Sequence, residues 1–182
     1  MIQVALGELS GFGGEAVLRA IRSDLDPTSA ASRVLMDRAG ARVKERLDVA
    51  GEIPVGGAVM TPGGDLPAEF IIHVVTCAPD EPEAPLAVQR ALRNGLRRAA
   101  DWEVASLAVP PMGSGVGVMG LEDSARAQVE ILVNHLNEGM PPREITILVA
   151  NSYEEDVFSR LVAALSGEGD APGDRSEESS VQ

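Results

Sequence analysis

Four glycines fall within eight residues in Gly113-Ser114-Gly115-Val116-Gly117-Val118-Met119-Gly120. Glycine lets the backbone take positive φ and come close to a ligand. Successive amide N–H groups ahead of a helix make an anion site, without any basic side chain. The context fits: the apolar run Val104–Val109 precedes the loop, and Leu121–Leu136 follows with helical spacing. Glu122, Asp123 and Ser124 suit the first turn of that helix. The chemistry implied is phosphate binding by backbone, against the plainer reading of a tight strand-to-helix turn. Gly115-x-Gly117-x-x-Gly120 also matches the dinucleotide fingerprint in its literal form. That fingerprint belongs in the first strand-to-helix turn of a domain, with an acid about 20 residues further on. Here the loop comes late in the chain, and the next strand ends in Ala150-Asn151-Ser152. A nicotinamide oxidoreductase is the weaker reading.

Few other side chains offer chemistry. The chain has one cysteine, Cys77, and two histidines, His73 and His135. That excludes an internal disulfide and a multi-cysteine or histidine-built metal centre, so neither metal nor cofactor is expected. His73 lies inside the apolar run Phe70-Ile-Ile-His-Val-Val, the setting of a satisfied core histidine more than of a base. Cys77 reads as a packing thiol. Asp24 and Asp26 lie in a loop after the second apolar run; Asp24 is the catalytic candidate, against a loop acid's ordinary role in a turn or cap. Arg90, Arg93 and Arg97 share one helix face, a solvated face and the one concentrated basic patch.

The elements that must position these residues alternate. Strand-like runs occur at Ile2–Leu6, Ala16–Ile21, Val55–Met60, Phe70–Thr76, Val104–Val109 and Ile145–Ala150. Helical stripes occur over Ser29–Leu47, Pro85–Ala100, Leu121–Leu136 and Glu154–Leu165. Alternation of this kind implies an α/β domain of three layers, a largely parallel sheet covered on both faces. Ligands then bind beyond the carboxyl ends of the strands. Residues 1–166 read as this domain. From Gly167 onward the composition is Gly, Ser, Pro, Asp and Glu with almost nothing to bury, so 167–182 reads as a disordered acidic tail.

The chain has 182 residues, 45% of them hydrophobic, and a formal net charge of −13. That charge argues against general nucleic-acid binding, which needs a basic face. No apolar run has the ~18 residues of a membrane span, and Met1-Ile-Gln-Val-Ala-Leu shows no signal-peptide pattern. A cytoplasmic protein is expected, with no membrane partner.

Read in order, these segments resemble a macro domain. Gly7-Glu8-Leu9-Ser10 is similar to the Gly-Asp-Ile-Thr that follows the family's first strand. Asp37-Arg38-Ala39-Gly40 resembles the end of the helix after its second. Gly56-Gly57-Ala58-Val59-Met60-Thr61-Pro62-Gly63-Gly64-Asp65-Leu66 resembles its Gly-x-Ala-x-x-Thr-x-Gly-x-x-Leu, and Phe70-Ile71-Ile72-His73-Val74-Val75 its Val-Ile-His strand. The glycine loop is similar to its second ligand loop. The resemblance implies a three-layer α/β/α sandwich on a mixed, largely parallel sheet of six to seven strands. It implies binding of ADP-ribose or an ADP-ribosylated protein. The alternatives it leaves open are an active ADP-ribosyl hydrolase or O-acetyl-ADP-ribose deacetylase, and a degenerate fold used in assembly. By resemblance, backbone amides of Gly113, Ser114, Gly115, Val116 and Gly117 would hold phosphate and distal ribose. Glu8 would accept from the adenine amino group, Leu9 would offer a backbone N–H, and Asn151 would line the adenine pocket.

The first ligand loop departs from the family. An ungapped reading from Ala16 puts Arg19 and Arg22 where the family has two asparagines, and Thr28-Ser29-Ala30 where it has three glycines. Arginine is long, cationic and donor-only, so it cannot replace a short amide that orients ribose or water. Two readings stand. Arginine, Arg22 foremost, grips phosphate in place of the glycines; or both arginines are surface residues of a worn-out site. Binding with weak or no hydrolysis is the expectation.

Overall fold

A computed structural model describes residues 1–114 and 119–167. Gly115, Val116 and Gly117 of the glycine loop, and the tail from Glu168, lie outside the described residues.

Six strands form one sheet in the order β1-β6-β5-β2-β4-β3. They are β1 (Ile2–Leu6), β2 (Ala16–Arg22), β3 (Ala58–Pro62), β4 (Phe70–Cys77), β5 (Ser106–Val109) and β6 (Glu144–Val149). Every pairing is parallel except that of the edge strand β3 with β4. The expected mixed, largely parallel sheet is therefore present with six strands. The third strand begins later than its apolar run. Gly56, at φ +89°, donates to Val75 O, and Gly57 donates to Pro54 O, so 54–57 turns before the ladder starts.

Five helices cover the two faces: α1 (Ala30–Ala39), α2 (Ala41–Asp48), α3 (Pro85–Asp101), α4 (Leu121–Asn137) and α5 (Ser152–Leu165). Side chains alternate along a strand. Leu18, Ala20, Ile72 and Val74 therefore pack under α3, α4 and α5 in the larger core. Val17, Ile21, Ile71 and Val75 point the other way, under α1 and α2, in two smaller clusters. The stripe expected over Ser29–Leu47 is two helices, not one. Gly40 at φ +92° interrupts it, a conformation L side chains avoid.

Candidate functional site

Parallel strands bring the carboxyl ends of β1, β6 and β5 to one edge, and an open cleft of about 550 Å³ lies there. Glu8 and Leu9 close one end, Ala30 and Ala31 of α1 form one wall, and Pro110, Pro111 and Ser114 form another. A deeper compartment of about 170 Å³ adjoins it and shares Leu9, Ser29, Pro110, Pro111 and Ser114. Arg19, Ser32, Glu83 and Gly113 also line the deeper part.

Local sequence explains both walls. Ser29 is the N-cap of α1, and its hydroxyl accepts from Ser32 N at 3.1 Å. The amides of Ala30 and Ala31 belong to the unsatisfied first turn, the positive end of the helix dipole. Opposite, the Gln128 side chain on α4 clamps the start of the glycine loop. Met112 N donates to its Oε1 at 3.0 Å, and its Nε2 donates to Pro110 O at 2.8 Å. Gly113 follows at φ +77°. A fixed backbone thus presents Gly113 and Ser114 to the compartment.

Beneath the deeper part, Arg19 and His73 face each other across the β2–β4 ladder. Arg19 Nε donates to His73 Nδ1 at 2.8 Å, and Nη1 donates to Ser32 O at 3.0 Å. His73 Nδ1 must therefore be the bare nitrogen, so the ring is neutral and Nε2–H donates to Thr61 Oγ1 at 2.8 Å. Burial, and then the neighbouring guanidinium, hold His73 well below its ordinary value. His73 is thus the satisfied core histidine expected. Arg19 is 1% exposed, which corrects the reading of both arginines as surface residues. Burial lowers its guanidinium to about 10.

Arg22 and Asp24 stand apart from the cleft. Arg22 makes a forked contact to Asp24, at 3.1 and 3.0 Å, and reaches Asp26 at 2.8 Å. The three line a second depression with Asp37 and Lys44, which Arg19 borders from its other side. The arginine beside the cleft is Arg19, not Arg22: the register shifts between Ile21 and Arg22, and Arg22, paired with Cys77, lines the second depression and not the cleft. Glu8 lines the cleft, its carboxylate paired with Arg38 on α1 at 2.9 Å. Asn151 is the N-cap of α5 and accepts from Glu154 N at 3.0 Å. Its neighbours Ala150 and Glu154, not Asn151, line the cleft. Cys77 is buried, and burial pushes its thiol up. Among the described residues no cluster of His, Cys, Asp or Glu could hold a metal ion.

Sequence reasoning missed Glu83, which accepts from Thr76 Oγ1 at 2.6 Å on the compartment wall, and the Gln128 clamp. Neither carries a motif. Arg19 left no signal either, since both parities of its strand are apolar.

A six-stranded α/β/α sandwich with its cleft between a helix N-terminus and a glycine loop is a macro-type architecture. The macro domain family model matches residues 19–128, and the chain belongs to that family. An uncharacterized protein of Aeropyrum pernix is 33% identical over 155 residues, covering 85% of this chain and 80% of its own. A protein of Klebsiella pneumoniae named O-acetyl-ADP-ribose deacetylase is 27% identical over 169 residues, covering 89% and 96%. The Trypanosoma brucei macrodomain, solved in complex with ADP-ribose, superposes with a TM-score of 0.77 at 18% identity, covering 88% of this chain and 68% of that one.

Proposed function

We propose that the protein binds ADP-ribose or a related ADP-ribosyl nucleotide, free or on a modified protein, with weak or no hydrolysis. The observation that carries this reading is the cleft itself. It runs from Glu8 and Leu9, past the first turn of α1, to Gly113 and Ser114. Such a groove offers an acceptor at one end and open amides where a diphosphate would lie. The Klebsiella relative's name and the ligand of the Trypanosoma structure support it. No helix among the described residues is long and apolar enough to cross a membrane, and the reading is of a cytoplasmic protein. Calorimetry with ADP-ribose tests it, with saturable binding at one site expected. Gly113→Val, at φ +77° and with a Cβ 3.3 Å from Val88, should lose binding while the fold survives. No heat from the folded wild type would overturn the proposal.

Catalysis needs a water held in line with the scissile bond, and losing such positioning costs about a hundredfold or more in rate. Arg19 is engaged with His73 and Ser32, and Arg22 and Asp24 are engaged with each other away from the cleft. Turnover of mono-ADP-ribosylated substrates should therefore fall at least about a hundredfold below a family member with the intact loop. One observation favours the alternative of an active hydrolase: the Glu83 carboxylate on the compartment wall. Comparable turnover, abolished in Glu83→Gln, would establish that alternative.

A further inference from the structure

The solvent face of α3 carries Arg90, Arg93 and Arg97, all exposed. Among the described residues none of the three forms an ion pair. Arg90 leans over Gly56 toward β3, where a Cβ on that glycine would meet its Nε at 2.7 Å. Arg93 and Arg97 turn the other way. They form one wall of a groove of about 90 Å³, whose far wall is α4, with His135 and Glu138 at its last turn. β4, β5 and β6 run parallel, so the helices that follow them, α3, α4 and α5, all end at the amino edge of the sheet, opposite the cleft. α4 packs between α3 and α5. The chain therefore leaves α5 at Gly167 on the same face of the sheet as this groove and at the same end.

We propose that the acidic segment 168–182 docks on this basic face of its own chain, against Arg93 and Arg97. The segment carries Glu168, Asp170, Asp174, Glu177 and Glu178 against Arg175 alone. Its composition gives it almost nothing to bury, so charge is what holds it. Crossing α4 to the groove takes about 10–20 Å, from helix spacings of about 8–10 Å. The segment spans up to about 50 Å when extended, so it reaches the groove with chain to spare. Tethering at Gly167 gives it an effective concentration on the order of millimolar, so contacts too weak to hold a free peptide still populate the docked state. The exposed acids Glu130 and Glu138 on the α4 side, and Asp101 at the end of α3, oppose the segment and so confine it to the arginine stripe. The proposal stands apart from the nucleotide reading, since groove and cleft lie at opposite edges of the sheet.

The test is NMR of the full chain, following the Arg93 and Arg97 Nε–H groups and the amides of 168–182. Raising salt from about 10 mM to about 1 M shortens the Debye length from about 30 to about 3 Å and should move both sets of resonances. A chain ending at Gly167, which keeps every described residue, should show the arginine resonances already at their high-salt positions. Arg93→Glu with Arg97→Glu, both on exposed side chains, should send the amides of Asp174, Glu177 and Glu178 to their high-salt positions. Arg42→Glu with Arg46→Glu makes the same charge change on α2, across the sheet, and should leave those amides in place. Tenfold dilution should change nothing, because the contact lies within one chain. Arginine resonances unmoved by removal of the segment, or segment amides displaced equally by the α2 and α3 pairs, would overturn the proposal. So would shifts that fade on dilution, which assign the contact to a second copy.

Discussion

Arg19 and Arg22 sit on one strand, and the fold treats them oppositely. Parity sends Arg19 inward with Val17 and Ile21, between the two apolar clusters beneath α1 and α2. Arg22, past the register shift, turns out to Asp24 and Asp26. Surface ion pairs of that kind contribute little. Arg22→Ala should leave both the urea midpoint and ADP-ribose affinity unchanged. Arg19→Ala removes a bonded partner from buried His73 and leaves a void, so it should cost about 2–5 kcal/mol in urea unfolding. Equal effects of the two substitutions would refute this division. His73 was legible in sequence because apolar residues flank it on both sides. The fate of Arg19 was not. In a run apolar on both faces, alternation cannot say which helices cover the odd positions, and the partners Ser32 and His73 come from distant segments.

Periodicity located the six strands and the stretches that form the α-helices, yet it passed over the short 3-10 turn Leu9–Gly11 and misjudged where elements stop, because a stripe records a face and not a break. The stripe from Val34 to Leu47 stays in phase across Gly40, and only the positive φ at that glycine divides α1 from α2. The resemblance to the family's helix end at Asp37-Arg38-Ala39-Gly40 caught the boundary that periodicity ran past. Gly40 N donates to Met36 O, and a Cβ there would meet Asp65 Oδ2 at 2.7 Å. Gly40→Ala should therefore destabilise by about 1–3 kcal/mol, read as a lower urea midpoint with an unchanged slope. ADP-ribose affinity should persist, because the cleft uses the opposite end of α1. The cleft was half legible. Glycine spacing marked the wall after β5, but the wall at α1 has Ser29-Ala30-Ala31 and no glycine, so only its place at a helix N-terminus identifies it.

Across the whole molecule, net charge and buried histidines act on stability in opposite senses as pH falls. Protonating carboxylates relieves repulsion in a chain with 28 acids against 15 Lys and Arg, which favours the folded state. That relief begins only near the ordinary carboxylate range of about 4. The histidines act earlier. His73 is held well below 6.5 by burial and by Arg19, and burial likewise lowers His135. Between each folded value and 6.5 the unfolded chain binds a proton that the folded chain refuses, so stability is lost as pH drops through that window. From about pH 8 to about pH 5, unfolding free energy should therefore fall, by at most about 1.4 kcal/mol per pH unit per histidine. Urea unfolding across the range measures it, and His73→Gln should remove one histidine's share of the slope below about pH 6.5 while His135 keeps the other. A flat profile in the wild type would mean that both histidines accept the proton in the folded chain, His73 among them. Nδ1 could then no longer receive the Arg19 N–H, and two cations would stand side by side under the compartment.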